Sequence, residues 1–510
     1  MYKPPFQKEF FGKAPALLAE LKRQPESYWI ERGEKNALAL FRQTAARVPA
    51  YRDFLKKNKI ASDAIKTIAD FKQVPVTTKD NYLLAYSPAE LCWDGRFKEK
   101  QWMIASTSGS TGEPFYFPRT KIQDEQFMLT AELAFLDFFE IDKRSTLFLN
   151  CFALGVWIGG MFMYQAVRRI VDSGRYPISV LNPGADRAEV LKAIKKLAPL
   201  FDQVILGGYG PLVKDLIDEG IRQGIDWKQH NMKYFFAAEG FTEGFREYME
   251  VKGGAQNPLT DTINHYGTAD LGTMSHETPV SNLIRRLAVE RPAVYDSVFN
   301  FGGRVPTFTQ YIPELYFFEE VAGRLLCTAN GGLPLIRYDL KDVGGTAKFS
   351  DIKKKVSAAG VNLSEELTAR KVSQAVWNLP FVYLYERNDF TVSIYSVNIY
   401  PESIRRALEH RDLQAALTGK FTMRVDFDEE QNQFLEINSE MHPGIIQSET
   451  LRKEISEVVI HQLYTENSEW RDFYERPDIQ QKVVPRIALW PYQDLTYFKP
   501  GGKQKWVKKS

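Results

Sequence analysis

The sequence predicts a mixed α/β protein, and three observations predict it. Helical periodicity alternates with short apolar runs, several of those runs stop at glycines, and near residue 385 the pattern changes character. Leu191, Ile194 and Leu197 recur at helical spacing, and QVILGGYG at 203–210 follows as a buried strand ended by glycines. That order is the grammar of a βαβ unit. It resumes after residue 320, where RLLCTA reads as a strand, and in the last quarter, where Leu451, Ile455, Val458 and Leu463 mark an amphipathic helix. Around 385 a polar break precedes a β-branched run and then a helix opening at Pro401, whose fixed φ suits a first turn. A domain boundary is expected there. No internal repeat or low-complexity segment is visible.

Composition narrows the function classes. The 510 residues carry 66 Lys and Arg against 64 Asp and Glu, a formal net charge of +2, which argues against nucleic acid as a partner. With 44% hydrophobic residues the chain can bury a large core. Cys92, Cys151 and Cys327 are odd in number and widely spaced, which fits a reducing cytosol and gives no cysteine zinc motif. The opening MYKPPFQKEFFGKAPALL has scattered charges and no continuous apolar stretch, so no secretory signal is expected and a cytoplasmic location is. Residues 145–167, STLFLNCFALGVWIGGMFMYQAV, are uncharged over a length that could cross a bilayer. Ser145, Asn150, Gln165 and the glycines Gly155, Gly159 and Gly160 point instead to a buried strand, a Gly-rich loop and a short helix, with no membrane span.

The most informative stretch is IASTSGSTGEPFYFP, Ile104 to Pro118. Ser106, Thr107, Ser108, Ser110 and Thr111 share one loop with Gly109 and Gly112, between two strand-like runs. Such a loop can offer backbone N–H groups and hydroxyls together to phosphate oxygens. The same composition also suits a Ser/Gly-rich surface turn. Glu113 and Pro114 stand where a Walker loop needs Lys and Ser/Thr, so any phosphate binding is of another kind.

TSGSTGEP resembles the phosphate-loop signature of the adenylate-forming superfamily of acyl-CoA synthetases, peptide-synthetase adenylation domains and luciferases. Within it the likeness is nearest to phenylacetate-CoA ligases and their relatives in capsule and antibiotic biosynthesis. ALFRQTAARVPAYRDFLKKNKI and IKTIADFKQVPVTTKDNYLLAY are similar to the segment that precedes the loop in that branch. AAEG at 237–240, HYGTADLG at 265–272, LPLIRYDLKDVG at 333–344, ERNDFTVSIYSVNIYP at 386–401 and GGKQKWV at 501–507 then match in the right order.

The resemblance implies a large multi-sheet N-terminal adenylate-forming domain over 1–387, a hinge at 388–390 and a small mobile α+β C-terminal domain over 391–510. It implies ATP-dependent activation of a small-molecule carboxylic acid to acyl-AMP, with Mg²⁺, release of pyrophosphate and transfer to a thiol, CoA foremost. By the same likeness Thr107, Ser108, Gly109, Ser110, Thr111 and Gly112 hold the ATP phosphates, and Thr111 serves the chemistry. Ala238 and Glu239 lie along the adenine, and Tyr266 stacks on it beside Gly267 and Thr268. From its residues alone, Tyr266 is equally an ordinary half-buried aromatic at a strand end. Asp342 and Arg387 meet the ribose, Asp389 is the hinge residue, and Lys503 is the catalytic lysine, with Lys505 the alternative. PGGKQKWVKKS also reads as a solvated basic tail.

Departures from the family pattern carry chemical meaning. Ala269 and Asp270 replace a Thr-Glu pair; Asp270 still offers Mg²⁺ a carboxylate, and Thr268 could recover the hydroxyl. Glu386 and Ser396 stand in place of glycines, and a side chain at 396 puts the CoA step in question while leaving adenylation intact. The acid pocket is expected from Phe152, Trp157, Gly207 and Tyr209, which suit an aryl or apolar acid. An amine or a carrier-protein thiol is the alternative acceptor, a catalytically degenerate nucleotide-binding module is a third reading, and a homodimer is possible. Arg337 and Asp339 read as a surface pair, ENSEWRDFYER at 466–476 as a solvated face, and His265 as a packed residue. The six histidines show no metal spacing.

Overall fold

The computed structural model describes residues 13–106, 115–154, 158–299, 305–387 and 391–498. These divide into two compact units, a body running to Ser106 and again from Tyr116 to Glu386, and a smaller unit from Arg387 onward. The body's strands are β1 (Met103–Ser106), β2 (Tyr116–Arg119), β3 (Thr146–Asn150), β4 (Ile178–Leu181), β5 (Gln203–Gly208), β6 (Met232–Ala237) and β7 (Thr262–Thr268). They continue as β8 (Gly272–His276), β9 (Thr307–Gln310), β10 (Tyr316–Val321), β11 (Arg324–Ala329), β12 (Leu335–Ala347) and β13 (Phe381–Arg387). β1 and β2 form a separate antiparallel hairpin, and the remaining eleven make one sheet in the order β10-β11-β12-β13-β9-β8-β7-β6-β5-β3-β4.

The sheet is parallel from β4 through β3, β5 and β6 to β7, and antiparallel from β7 to β8 and β9. Parallel neighbours need long crossovers, and the chain supplies helices for them at Ile158–Asp172, Arg187–Leu197, Gly210–Arg222 and Glu243–Val251. On one face Val204, Leu206, Tyr234 and Phe236 enter a core with Leu191, Ile194, Leu216 and Phe245. On the other lies the helix Lys121–Phe138, buried on nearly every side and joined to the sheet through Phe135 against Phe148 and Phe235. It buries Gln123, Asp124, Gln126 and Glu132 along with its apolar residues, so it lies inside the body rather than on its surface. The uncharged stretch at 145–167 thus begins as β3 and ends in the helix Ile158–Asp172, and no helix among the described residues is long and apolar enough to cross a membrane.

The first helices of the chain close on elements made much later. Arg32 Nε donates to Glu314 at 2.7 Å, the Leu21 carbonyl accepts from the Asn378 N–H at 3.0 Å, and Lys22 pairs with Asp137. Gly33 sits so near Pro313 that a Cβ would come within 2.6 Å of its side chain.

In the smaller unit, β14 (Val392–Ile394) and β15 (Val397–Ile399) form a hairpin, and β16 (Leu417–Phe427), β17 (Gln433–Met441) and β18 (Arg486–Trp490) form a three-stranded sheet. The helix Pro401–Leu408 starts at its proline, with Tyr400 as N-cap. The helix Glu449–Glu466 buries Ile455, Val459 and Leu463, so its inner face passes through Val459 rather than Val458. The run at 466–476 is not a solvated face. Trp470 is fully buried, its indole donating to the Val483 carbonyl at 3.1 Å and its ring stacking on Tyr474, and Phe473 is buried beside it.

Candidate active site

Parallel strands β3, β5, β6 and β7 end on one edge of the sheet, the edge where ligands collect in open α/β sheets. The turn after β6 is held open in an uncommon shape. Ala238 has φ +75°, and a Cβ on Gly240 would stand 2.5 Å from the Thr307 hydroxyl, which would have to turn away to admit it. The turn is fixed from β7: Asn264 Nδ2 donates to the Glu239 carbonyl at 2.8 Å. Asn264 Oδ1 is buried with no partner among the described residues, an acceptor beside the place assigned to adenine. Sequence reading passed over Asn264 although it directly precedes HYGTADLG.

A buried ion network braces β7 and this turn from beneath. Glu277 accepts from Arg246 Nη2 at 2.9 Å, from Arg285, and from the Asn264 backbone N–H at 2.9 Å. Arg246 also donates to the Thr262 carbonyl at 2.7 Å and to Glu243 at 3.1 Å, while Arg285 Nη2 reaches the Phe241 carbonyl. Burial alone would raise the Glu243 pKa, but the Arg246 and Arg285 cations outweigh it and hold the carboxyl below its ordinary range. No spacing in the sequence announces this network, because its members come from two helices, strand β7 and two loops spread along the chain.

Across the site, the Tyr266 hydroxyl bonds the Asp342 carboxylate, and both residues are buried. Asp342 sits on β12, whose register shifts beside residues in left-handed conformation, Arg337 at φ +47° and Lys341 at φ +65°. The QVPVTTK segment secures that irregular strand. The Thr77 N–H donates to the Arg337 carbonyl at 3.2 Å, the Thr77 carbonyl accepts from the Asp339 N–H at 2.9 Å, and Thr77 Oγ1 donates to the Ile336 carbonyl at 2.8 Å. Arg337 and Asp339 do not form the expected surface pair. Both are buried, Arg337 on Glu319 at 3.0 Å and Asp339 on Arg324 at 2.8 Å, so both side chains lock β12 to its neighbours.

At the β7–β8 turn a Cβ on Gly267 would come within 2.6 Å of the Gly272 carbonyl, which makes glycine obligatory there. Thr268 Oγ1 accepts from the Leu271 N–H at 3.3 Å, shaping the turn that presents Ala269 and Asp270. Among the described residues no group of three or more His, Cys, Asp or Glu could hold a metal by itself. Asp270 offers one carboxylate to a metal, which suits an ion that takes most of its ligands from phosphate and water, the habit of Mg²⁺.

Of the residues expected to form the acid pocket, Phe152 meets Tyr209 edge-on at 5.0 Å, and nearby Phe127 stacks on Phe162 at 4.3 Å. Gly207 has a packing reason of its own, since a Cβ there would stand 2.6 Å from the Phe148 ring. The structure thus gathers Ala238, Glu239, Tyr266, Gly267, Thr268 and Asp342 about one sheet edge, with Phe152 and Tyr209 along it. Thr107 to Gly112, Trp157, Asp389, Lys503 and Lys505 lie outside the described residues; Arg387 ends β13, and its side chain is likewise outside them.

The fold these elements define is that of the adenylate-forming enzymes. The chain resembles 2-hydroxyisobutyryl-CoA ligase in complex with 2-HIB-AMP and CoA in the thioesterification state, with a TM-score of 0.62 at 14% identity over 96% of this chain and 91% of that one. An open conformation of the same ligase with 2-HIB-AMP and CoA gives 0.52, at 14% identity over 96% and 94%. Its postadenylation state with R3-HIB-AMP gives 0.51, at 14% identity over 100% and 94%. No protein-family model matches the sequence, and no curated protein does.

Proposed function

We propose that the chain is an adenylate-forming ligase that activates a carboxylic acid with ATP. The observation that carries this reading is the pairing of Tyr266 with Asp342 opposite a turn that Asn264 pins, an aromatic face, a diol acceptor and an amide acceptor converging on one sheet edge. A substrate carboxylate oxygen attacks the α-phosphorus of ATP, the bond to the β-phosphate oxygen breaks, and pyrophosphate leaves. The Thr107–Gly112 loop holds the β- and γ-phosphates, and Lys503 offsets charge growing between carboxylate and α-phosphate. Mg²⁺ on Asp270 would neutralise phosphate charge. A thiolate, CoA foremost, then attacks the acyl carbon and AMP departs, with residues 388–390 as the hinge between a body of 1–387 and a cap of 391–510. A phenylacetate-CoA ligase-like enzyme of the cytoplasm acting in biosynthesis is the particular form this reading takes.

Acid-dependent exchange of pyrophosphate into ATP over a panel of acids tests the proposal. Intact ATP binding with no exchange for any acid would reject acid activation. Asp342→Ala is expected to weaken ATP binding about 10- to 100-fold by calorimetry, the worth of hydrogen bonds to a carboxylate. Tyr266→Phe keeps the ring and should stay within about threefold of wild type.

A second reading, transfer to an amine or carrier-protein thiol, is favoured by the turn between β14 and β15. Tyr395 and Ser396 both have positive φ, +50° and +68°, in a two-residue hairpin turn that favours Asn-Gly. Ser396→Gly should raise stability by about 1 kcal/mol, read by denaturant unfolding, because the left-handed conformation is disfavoured for a residue with a Cβ. If CoA is the acceptor and the Ser396 side chain obstructs it, thioester formation rises severalfold while pyrophosphate exchange is unchanged. No rise in thioester favours the other acceptors.

A further inference from the structure

The last strand of the smaller unit runs into a turn that is fixed at several points. β17 and β18 are parallel, with Glu440 opposite Trp490. Glu440 is fully buried, and its carboxylate collects three donors: Thr418 Oγ1 at 2.8 Å, Lys420 Nζ at 3.0 Å and the Gln493 backbone N–H at 2.8 Å. Thr418 and Lys420 belong to β16, whereas Gln493 lies beyond the sheet, past the end of β18. Gln493 has φ +58°, a conformation disfavoured for a residue with a Cβ, so it needs support from outside. From there the chain satisfies its own backbone. The Asp494 N–H donates to the Pro491 carbonyl at 3.2 Å, the Asp494 carboxylate accepts from the Thr496 and Tyr497 N–H groups at 2.8 and 3.1 Å, and the Asp494 carbonyl accepts from the Phe498 N–H at 2.7 Å. Trp490, whose indole donates to Asn438 at 2.6 Å, packs on Tyr497 at 4.4 Å between centroids, and Phe498 is buried. A carboxylate is costly to bury, and the donor it takes from outside the sheet is the one that a tie between strands would not require.

We propose that Glu440 is a positioning residue for adenylation: through the Gln493 N–H it fixes residues 490–498 as the mount from which Lys503 works. The inference rests on reading Lys503 as the cation of acid activation. Lys503 follows Phe498 by 503 − 498 = 5 residues, so covalent geometry keeps its Cα within about 18 Å of a fixed point. Release of Gln493 moves the last fixed point back to Trp490 and lengthens that tether to 503 − 490 = 13 residues. Effective concentration falls roughly as the three-halves power of tether length, which dilutes the lysine about fourfold, and loss of its orientation adds to that.

Glu440→Ala is expected to lower acid-dependent pyrophosphate exchange about 5- to 50-fold, with ATP affinity by calorimetry within about threefold of wild type. Glu440→Gln retains an oxygen for the Gln493 N–H, and the Lys420 side chain, 45% exposed, can turn to water, so this variant should recover most of the loss. In a chain carrying both Lys503→Ala and Lys505→Ala, Glu440→Ala should cost no more than about twofold, since no cation is left to place. Amide hydrogen exchange should show residues 493–498 losing protection in Glu440→Ala while β16 and β17 keep theirs. Undiminished pyrophosphate exchange in Glu440→Ala, undiminished protection at 493–498, or a further large loss on the background without the two lysines would each overturn the proposal. Should Glu440→Ala fail to fold, Asp494→Ala opens the same turn without touching the sheet and is held to the same outcomes. A wild type that exchanges pyrophosphate with none of the acids in the panel rejects acid activation and this role with it, whereas a wild type that exchanges, with Glu440→Ala its equal, rejects this role alone.

Discussion

Replacing Lys503 with alanine is expected to lower acid-dependent pyrophosphate exchange about 10²- to 10³-fold, the usual cost of losing one preorganised charge at a centre where charge develops. ATP affinity measured by calorimetry should stay within about threefold of wild type, because in the proposed reading the loop at 107–112 and Asp342 hold the nucleotide without it. Charge between carboxylate and α-phosphate is greatest in the transition state, and a cation matched to that moment changes rate more than binding. Lys505→Ala is the paired measurement. If its loss exceeds that of Lys503→Ala, the catalytic assignment moves two residues along the chain. An equal fall in exchange and in ATP affinity for Lys503→Ala would make the lysine a binding group only.

Glu277→Gln is expected to destabilise the body by about 3–5 kcal/mol, read by denaturant unfolding followed through the body's tryptophans. The carboxylate receives two guanidinium groups and a backbone N–H in a region closed to water. An amide of the same shape can accept but carries no charge, so Arg246 and Arg285 would lose one of their two buried counter-charges while Glu243 remained. The same substitution should weaken ATP binding at a temperature where the protein is still folded, because the network supports the turn at 238–241 through Asn264 and Phe241. A loss below about 1 kcal/mol would show the network to be dispensable.

The alternating helices and strands of the body were legible because each element is short, periodic and bounded by glycine or proline. β5 stops at Gly208, and the helix at 401 begins on its proline, as local chemistry dictates. The eleven-strand order was not legible, since it inserts β13 between β12 and β9, a strand made some seventy residues earlier, and no local pattern encodes that pairing. Trp470 and Phe473 were hidden in a run rich in charge, where burial depends on Val483 arriving from another element. Arg337 and Asp339 misled for the opposite reason. Charge two residues apart on a strand suggests a surface, whereas Asp339 finds its counter-ion on the adjacent strand β11 and Arg337 finds its own two strands away on β10. At the site, Tyr266 and Asp342 could be named through the resemblance, but their contact across 76 positions of chain could not. Asn264 shows its meaning only through a buried amide oxygen that meets no partner among the described residues.

The closure of the first helices on distant parts of the chain bears on how the protein is made. Arg32 waits for Glu314, and Leu21 for Asn378. At about 5–20 residues per second, a ribosome needs roughly 20–70 s to deliver the second partner after the first has emerged. Through that interval Phe41 can already meet Tyr51 and Phe71, a short way along the chain, but the contacts of the first helices with Glu314 and Asn378 are missing. Part of the contact surface of the first helices therefore stays open through synthesis, and slowing translation should lengthen its exposure in direct proportion.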